Sequence, residues 1–305
     1  MSKEQELLII PKTYKNYVGG AFPRTESGRY YKLNSVDGKH LANVCLSTRK
    51  DIRNAVQVAR KAQASWQNRT AYNQGQIIYR IAEILSGRRH QFEAELESLG
   101  YSKEVAQVEL ESAIDLIVYF AGWTDKVQQV FGAVNPVASH HFNFSRQEAV
   151  GVVGMLAPEA PALLGALAML LPNMVAGNSS IIIASEKLAL PLCTFAEVLE
   201  TSDVPAGVVN ILTGKKEELV GHFVSHMDVD ALIADPTLSF ELRKELEVGS
   251  TSNLKRLHFW ATGCTVDEIH STGKSVIENM AKSAKDPYRI LDVQEVKTTW
   301  HPISE

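Results

Sequence analysis

The residues in this chain that could act as nucleophiles or bind a metal are three cysteines and nine histidines. Cys264 has two histidines nearby in the sequence, His258 and His270, which could lower the pKa of its thiol. The sequence does not place these side chains in contact, so an unreactive buried thiol is the alternative interpretation. Cys45 and Cys193 lie far from Cys264, and no CxxC pair occurs, which predicts free thiols in a reducing compartment.

Two other patterns that can bind ligands are weak in this sequence. His140 and His141 are adjacent, but no carboxylate or cysteine lies at metal-ligand spacing, so we expect a solvated loop and no metal site. Gly151 and Gly154 do not complete the G-x-G-x-x-G fingerprint. The TGKKEE run at 213–218 lacks the upstream glycine of a phosphate-binding loop.

Alternating strands and helices must position any site in the second half of the chain. From Ala149 onward, apolar strands such as AVGVVGML, SSIIIA, GVVNIL and DALIA alternate with helices. Strands that are apolar on both faces are typical of a parallel sheet covered by helices on both sides. The pattern predicts an α/β fold in which a ligand would bind beyond the carboxyl ends of the strands. Before Ala149, a β-rich segment at 14–46 precedes helices, of which the last is predicted at about 102–130.

Several motifs, taken in order, resemble the aldehyde dehydrogenase superfamily over residues of about 14–260. They are YVGGAF, SGRYY…VDGKHLANV, GVVG…P, AGN, SE, P-x-GVVNIL-x-G and H-x-DVD. The resemblance implies a Rossmann-like parallel sheet with helices on both faces, an N-terminal β/α segment and an oligomerisation β-hairpin at about 122–150, with the catalytic domain missing. It divides the chain into an N-terminal part (1–148), a degenerate NAD-binding domain (149–268) and a short C-terminal tail (269–305).

The catalytic positions of the family carry inert side chains in this chain. Pro158 is retained, but Ala160 stands where the family has an asparagine whose amide helps to hold the oxyanion. Trp260 stands at or near the position of the general-base glutamate, and an indole cannot accept a proton from a thiol or a water. The family's catalytic cysteine would follow some tens of residues later, yet no cysteine occurs after Cys264.

The cofactor positions of the family are partly retained. Ser185 and Glu186 match the end of its Lys-Pro-Ser-Glu strand, whereas Ile183 replaces the lysine that hydrogen-bonds the adenosine ribose. Asp235-Pro236 occupies the phosphate-binding turn, where a carboxylate and a missing N–H disfavour an anion. We therefore expect no cofactor, or NAD binding that is weak and vestigial, through Ser185, Glu186 and Pro158.

These departures predict a catalytically inactive relative, similar to the cysteine-less second copy of the family's long two-copy members. Such a chain would be a structural or regulatory subunit of a hetero-oligomer with a full-length aldehyde dehydrogenase, or would associate with itself. The hairpin's partner strand is expected to be missing, which would leave its edge unpaired and open to another chain. Two alternatives remain open: an NAD(P)-dependent aldehyde oxidoreductase with non-standard residues, and a regulatory module that binds a nucleotide without turning it over.

Charge and the N-terminal segment predict where such a protein works. The net charge of −4 does not favour nucleic acid or an anionic membrane as a partner. The segment MSKEQELLIIPK contains acidic residues and only a short apolar run, unlike a signal peptide. A cytoplasmic location is the expectation that follows.

Overall fold

The computed structural model describes residues 12–303 and begins with a small sheet. Its strands are β1 (Lys12–Tyr14), β2 (Tyr30–Asn34) and β3 (His40–Cys45), in the order β1-β3-β2. Gly38 lies in the turn between β2 and β3 with a φ of +77°, a conformation that favours glycine. The β-rich character predicted for 14–46 is confirmed. Residues 1–11, which hold most of the segment used to exclude a signal peptide, lie outside the described residues.

A run of helices follows this sheet. They are α1 (Arg49–Gln67), α2 (Ala71–Gly87), α3 (Arg89–Ser98), α4 (Lys103–Ala121) and α5 (Val127–Phe131). Helix α1 begins after Thr48, whose N–H donates to Asp51 Oδ2 at 2.8 Å in a capping box. The prediction of a single helix at about 102–130 is wrong, because α4 ends at Ala121 and α5 begins at Val127. The hydroxyl of Thr124 donates to the Ala121 carbonyl at 3.0 Å and so satisfies a group that a continuing helix would use.

A five-stranded parallel sheet forms the second half of the molecule, as the alternating pattern predicts. The strands β4 (Ala133–Asn135) and β5 (His141–Ala149) precede it in the chain; the sheet itself has the order β10-β9-β6-β7-β8. Its strands are β6 (Val152–Leu156), β7 (Ser179–Ile183), β8 (Val209–Leu212), β9 (Ala231–Ala234) and β10 (Arg256–Phe259). The connecting helices are α6 (Leu164–Val175), α7 (Leu190–Glu200), α8 (Lys216–Ser225) and α9 (Phe240–Ser250).

Helices cover both faces of this sheet, which explains why β6, β7, β8 and β9 are buried along their whole length. Along β7, Ile182 packs into the core that contains α6, whose 12 residues are all buried. Its neighbours Ile181 and Ile183 point the opposite way, into the core formed with α1 and α8. The expected Rossmann-like α/β architecture is therefore confirmed.

A three-stranded antiparallel ribbon completes the fold, and it corrects one expectation. Its strands are β4 (Ala133–Asn135), β5 (His141–Ala149) and β11 (Gln294–Pro302), in the order β11-β5-β4. Strand β11 pairs with β5 along its whole length, from Gln294 opposite Ala149 to Pro302 opposite His141. The expectation that this edge of the hairpin is unpaired is wrong, because the chain supplies the partner strand itself.

Two helices carry the chain from the parallel sheet to the ribbon. They are α10 (Val266–Ala284) and α11 (Tyr288–Asp292). The predicted boundary after residue 268 falls within α10, and the segment 269–305 contains helix and strand; the three-part division itself stays a prediction. Within residues 12–303, the longest and most apolar helices fall short of what crossing a membrane requires.

Candidate functional site

The carboxyl ends of β6 and β7 bring together two loops and the first turn of α8. Leu156 and Ile183 are neighbours at these ends, and the N–H of Ala157 donates to the Ile183 carbonyl at 3.0 Å. The loop after β6 carries Pro158 and Ala160, and the loop after β7 carries Ser185 and Glu186. This edge is where the sequence predicts a ligand, because parallel strands present their carboxyl ends together.

Glu159 holds these pieces together through one carboxylate. Its Oε2 accepts hydrogen bonds from Ser185 Oγ at 2.8 Å and from the N–H groups of Glu186 and Lys187 at 3.1 and 3.2 Å. Its Oε1 forms an ion pair with Nζ of Lys216, whose side chain is only 3% exposed. Sequence reasoning assigned no role to Glu159 or Lys216, because their contact spans 57 positions.

The pKa values of the two carboxyl groups at this edge, Glu159 and Glu186, are shifted in opposite directions. Burial alone would raise the pKa of Glu159, but the charge of Lys216 and the hydrogen bonds from Lys216, Ser185 and the Lys187 N–H outweigh it and lower that pKa. Burial raises the pKa of Glu186, the N–H of Lys216 opposes this in part at 2.8 Å, and the carboxylates of Glu217 and Glu159 add to the rise. Glu159 is therefore the firmly ionised member of the pair.

Pro158 and Ser185 have structural contacts at this edge. Pro158 is buried, and a methyl group added to Gly263 would lie 2.3 Å from its Cβ, so it fills the space between α6 and the loop after β10. Ser185 Oγ, besides donating to Glu159, accepts the N–H of Leu188 at 2.9 Å. Of the three cofactor residues predicted from the sequence, Glu186 and Ser185 lie together, whereas Pro158 offers no polar group.

Ala160 and Cys264 are neighbours, yet they do not form a nucleophilic site. The N–H of Cys264 donates to the Ala160 carbonyl at 2.8 Å, and the methyl group of Ala160 has no donor. Burial raises the pKa of the Cys264 thiol to about 12, and the carboxylates of Glu268, Glu109 and Asp235 all act in the same direction. No cation between residues 12 and 303 lowers this pKa, so the hypothesis of a reactive Cys264 lacks the activation that it needs.

Trp260 and His258 are both directed toward Asp292. The indole Nε1 of Trp260 donates to Asp292 Oδ2 at 2.9 Å, and the guanidinium of Arg289 lies 5.5 Å from the centre of the ring. His258 Nδ1 lies 3.9 Å from the same carboxylate oxygen. The position assigned to the general base therefore holds a buried packing residue without a proton acceptor.

Asp235 makes local hydrogen bonds that the sequence did not indicate. Its buried carboxylate accepts the N–H of Thr237 at 2.8 Å and the N–H of Thr262 at 2.7 Å. It thus ties the loop after β9 to the loop after β10. These N–H groups satisfy the carboxylate, and the expectation that Asp235 disfavours an anion at this turn stays a prediction.

Metal binding has no candidate cluster in the described part of the chain. Between residues 12 and 303, no three His, Cys, Asp or Glu side chains lie close enough to hold an ion. His141 begins β5, and its Nδ1 lies 3.1 Å from the hydroxyl of Ser139. The adjacent histidines therefore belong to the ribbon, at a distance from the sheet edge described above.

Comparison with known proteins identifies relatives of this architecture. A family profile described as the aldehyde dehydrogenase family matches residues 22–259. The chain is 31% identical over 252 residues to aldehyde dehydrogenase, cytosolic 1, of Elephantulus edwardii, covering 80% of this chain and 49% of that protein. It is 30% identical over 254 residues to mouse retinal dehydrogenase 2, covering 81% and 48%. The chain thus spans about half the length of the curated relatives it matches.

Solved structures show the same similarity. An NAD⁺ complex of aldehyde dehydrogenase from Bacillus cereus matches with a TM-score of 0.75 and 25% identity, over 80% of this chain and 50% of that one. PnpE in complex with nicotinamide adenine dinucleotide shares the fold, with a TM-score of 0.76 at 23% identity. The NAD⁺ complex of the Bacillus cereus relative contradicts the expectation that no cofactor, or only vestigial NAD, accompanies this chain. The relatives point to NAD binding, and the expectation is corrected accordingly.

Proposed function

Because this chain belongs to the aldehyde dehydrogenase family, we propose that it binds an NAD-type dinucleotide at the carboxyl ends of β6 and β7 and does not itself oxidise aldehydes. One observation carries the proposal. The carboxylate of Glu186 follows β7 and accepts the backbone N–H of Lys216 at 2.8 Å, while the oxyanion and base positions hold Ala160 and Trp260. The residues at this edge thus support binding of a dinucleotide, whereas the two catalytic positions do not support the oxidation step.

The polar groups at this edge fit the adenosine ribose of a dinucleotide. A carboxylate that follows the second strand of such a sheet accepts hydrogen bonds from ribose hydroxyls, and Glu186 occupies that place. Ile183 removes the family's lysine, but Lys216 brings an ammonium group to the same edge from the start of α8. When bound, the nicotinamide supplies a hydride acceptor; the residues of this chain bind and orient the adenosine half.

The chemical step lacks three groups in this chain. Oxidation of an aldehyde through a thiohemiacetal needs a thiolate, a base and an oxyanion donor. The buried thiol of Cys264 has its pKa raised to about 12. Ala160 has no donor, and the indole of Trp260 is held by Asp292. We infer a structural or regulatory subunit that binds the nucleotide and acts beside a full-length aldehyde dehydrogenase.

Titration of the purified chain with NAD tests the proposal. We expect isothermal titration calorimetry to detect binding, and Glu186→Ala to weaken it about tenfold, since a hydrogen bond to a charged group contributes about 1.5–3 kcal/mol. Glu218→Ala, which removes from α8 an exposed carboxylate paired with Arg29, is the matched control and should bind NAD as the original chain does. An absence of binding heat would reject the binding half of the proposal.

An absorbance assay for NADH with a panel of aliphatic and aromatic aldehydes tests the other half. We expect no turnover. NADH formation that disappears in Cys264→Ser would instead establish an oxidoreductase that uses non-standard residues, and would contradict the inactive assignment.

A further inference from the structure

Four donors from two segments converge on the carboxylate of Glu159. They are the hydroxyl of Ser185, the N–H groups of Glu186 and Lys187, and the ammonium group of Lys216. Three come from the loop after β7 and the fourth from the start of α8, whereas Glu159 reaches them from the loop after β6. The donors therefore form an anion-binding cradle that the chain fills with its own carboxylate.

The chemistry of this cradle is that of a phosphate site. Consecutive backbone N–H groups, a hydroxyl and a cation are the donors that bind phosphate oxygens in proteins. The side chains of Lys216 and Ser185 are buried, whereas the Glu159 side chain is 33% exposed, so the cradle has buried donors and opens to solvent on the side of the anion. Glu186, the carboxylate expected to accept ribose hydroxyls, contributes its N–H to the same cradle.

We propose that Glu159 acts as an internal substitute for a phosphate and thereby makes the site select NAD against NADP. This inference rests on the proposed binding of a dinucleotide at this edge. The extra 2′-phosphate of NADP lies on the adenosine ribose, next to the group that Glu186 would bind. With Glu159 in the cradle, the 2′-phosphate finds the donors already occupied by a carboxylate. The two negative charges repel each other. A ribose with a free 2′-hydroxyl meets no such charge.

Removal of the Glu159 carboxylate should open the cradle. We expect Glu159→Ala to raise the affinity for adenosine 2′,5′-bisphosphate at least tenfold, measured by calorimetry, and to change the affinity for 5′-AMP less than threefold. The double variant Glu159→Ala/Lys216→Met should lose the gain, because the cation is then missing. Circular dichroism and thermal unfolding of each variant establish that the fold is retained.

The original chain provides an independent arm of the test. It should bind NAD at least tenfold more tightly than NADP. Glu159→Gln, which keeps the shape and one acceptor oxygen, should reduce this preference even if Glu159→Ala does not fold. Equal affinity of the original chain for NAD and NADP would overturn the inference. Binding of neither dinucleotide by the original chain, together with no gain for the bisphosphate in Glu159→Ala, would reject both this inference and the proposed function. Binding of NAD without any gain in the variants would reject this inference alone.

Discussion

Glu109 is a buried residue of α4 whose carboxyl group caps the N-terminus of another helix, α6. Its Oε1 accepts the N–H groups of Leu163 and Leu164 at 2.7 and 3.0 Å, at the start of α6. Burial is the largest influence on it and raises its pKa to about 7, while the bonds from these N–H groups and from Tyr101 oppose the rise. The protonated form is thus favoured in the folded chain more than in the unfolded one.

Glu109→Gln should reduce the pH dependence of stability. Because the folded pKa is raised, the contribution of Glu109 is complete below its ordinary value near 4.5 and is lost as the pH rises through about 7. A shift of this size corresponds to about 3 kcal/mol. In urea denaturation, the free energy of unfolding should fall more between pH 5 and pH 8 for the original chain than for Glu109→Gln.

Glu111→Gln is the control for this measurement. Glu111 lies on the same helix but is exposed and paired with Arg89, so its substitution should leave the difference between pH 5 and pH 8 almost unchanged. An identical pH dependence in Glu109→Gln and the original chain would contradict the assigned pKa.

Some residues of the candidate site can be identified from the sequence alone, and others cannot. Ala160 and Trp260 could be identified because the type of side chain excludes the chemistry wherever the side chain points. Glu159 and Lys216 could not, because their importance arises from a contact between two loops that are adjacent only after the sheet has formed. The hydrogen bond between Asp235 and Thr262 could not be predicted for the same reason, since the Thr262 N–H comes from a different loop.

Elements with one strongly buried face were predictable, and an element without one was not. The uncharged and mainly apolar run that contains α6 identified a buried helix. Strand β11 gave no such signal, because after the buried Gln294 every residue from Glu295 to Pro302 is exposed. Both of its faces meet solvent and both carry polar residues, so no hydrophobic period marks it.

The close approach of α8 to the parallel sheet depends on a glycine in β6. A methyl group on Gly154 would lie 2.6 Å from the ring of Phe223 on α8 and 2.9 Å from Leu232 on β9. We expect Gly154→Ala to lower the free energy of unfolding by about 1–3 kcal/mol through overpacking, measured by urea denaturation.

Gly87→Ala is the corresponding control, because a methyl group there meets no atom within 4 Å at the end of α2. It should leave stability unchanged or raise it slightly, since alanine favours the helix. Equal stability of the Gly154 variant and the original chain would show that α8 can move away from the sheet at little cost.

The whole molecule presents its ribbon as an exposed surface. Val296 and Trp300, on the same face of β11, are 67% and 57% exposed, and Phe142 on β5 is also exposed. The outer edge of β11 has no paired strand among the described residues. Exposed apolar side chains beside an open strand edge favour association with another chain. This surface supports the proposed partnership with a full-length aldehyde dehydrogenase.

Co-expression with a tagged full-length homologue tests this partnership. We expect the two chains to elute together in size-exclusion chromatography with light scattering. Trp300→Ser should weaken the complex at least tenfold, because large aromatic residues at the centre of interfaces often contribute more than 2 kcal/mol. Tyr72→Ser, which removes an even more exposed aromatic ring (73%) from α2, should have no effect. A chain that stays monomeric, or that forms a dimer with itself and ignores the homologue, would count against the proposal.

The pairing of β5 with β11 also has a consequence while the protein is being made. The paired residues are separated by about 150 positions. At a synthesis rate of about 5–20 residues per second, β5 emerges from the ribosome roughly 8–30 s before its partner strand. Throughout that interval Phe142 and Phe144 lie on a nine-residue strand whose main neighbour does not yet exist. Each nascent chain therefore exposes an aggregation-prone strand for many seconds. The yield of folded protein should depend on the rate of translation and on chaperones that bind this strand.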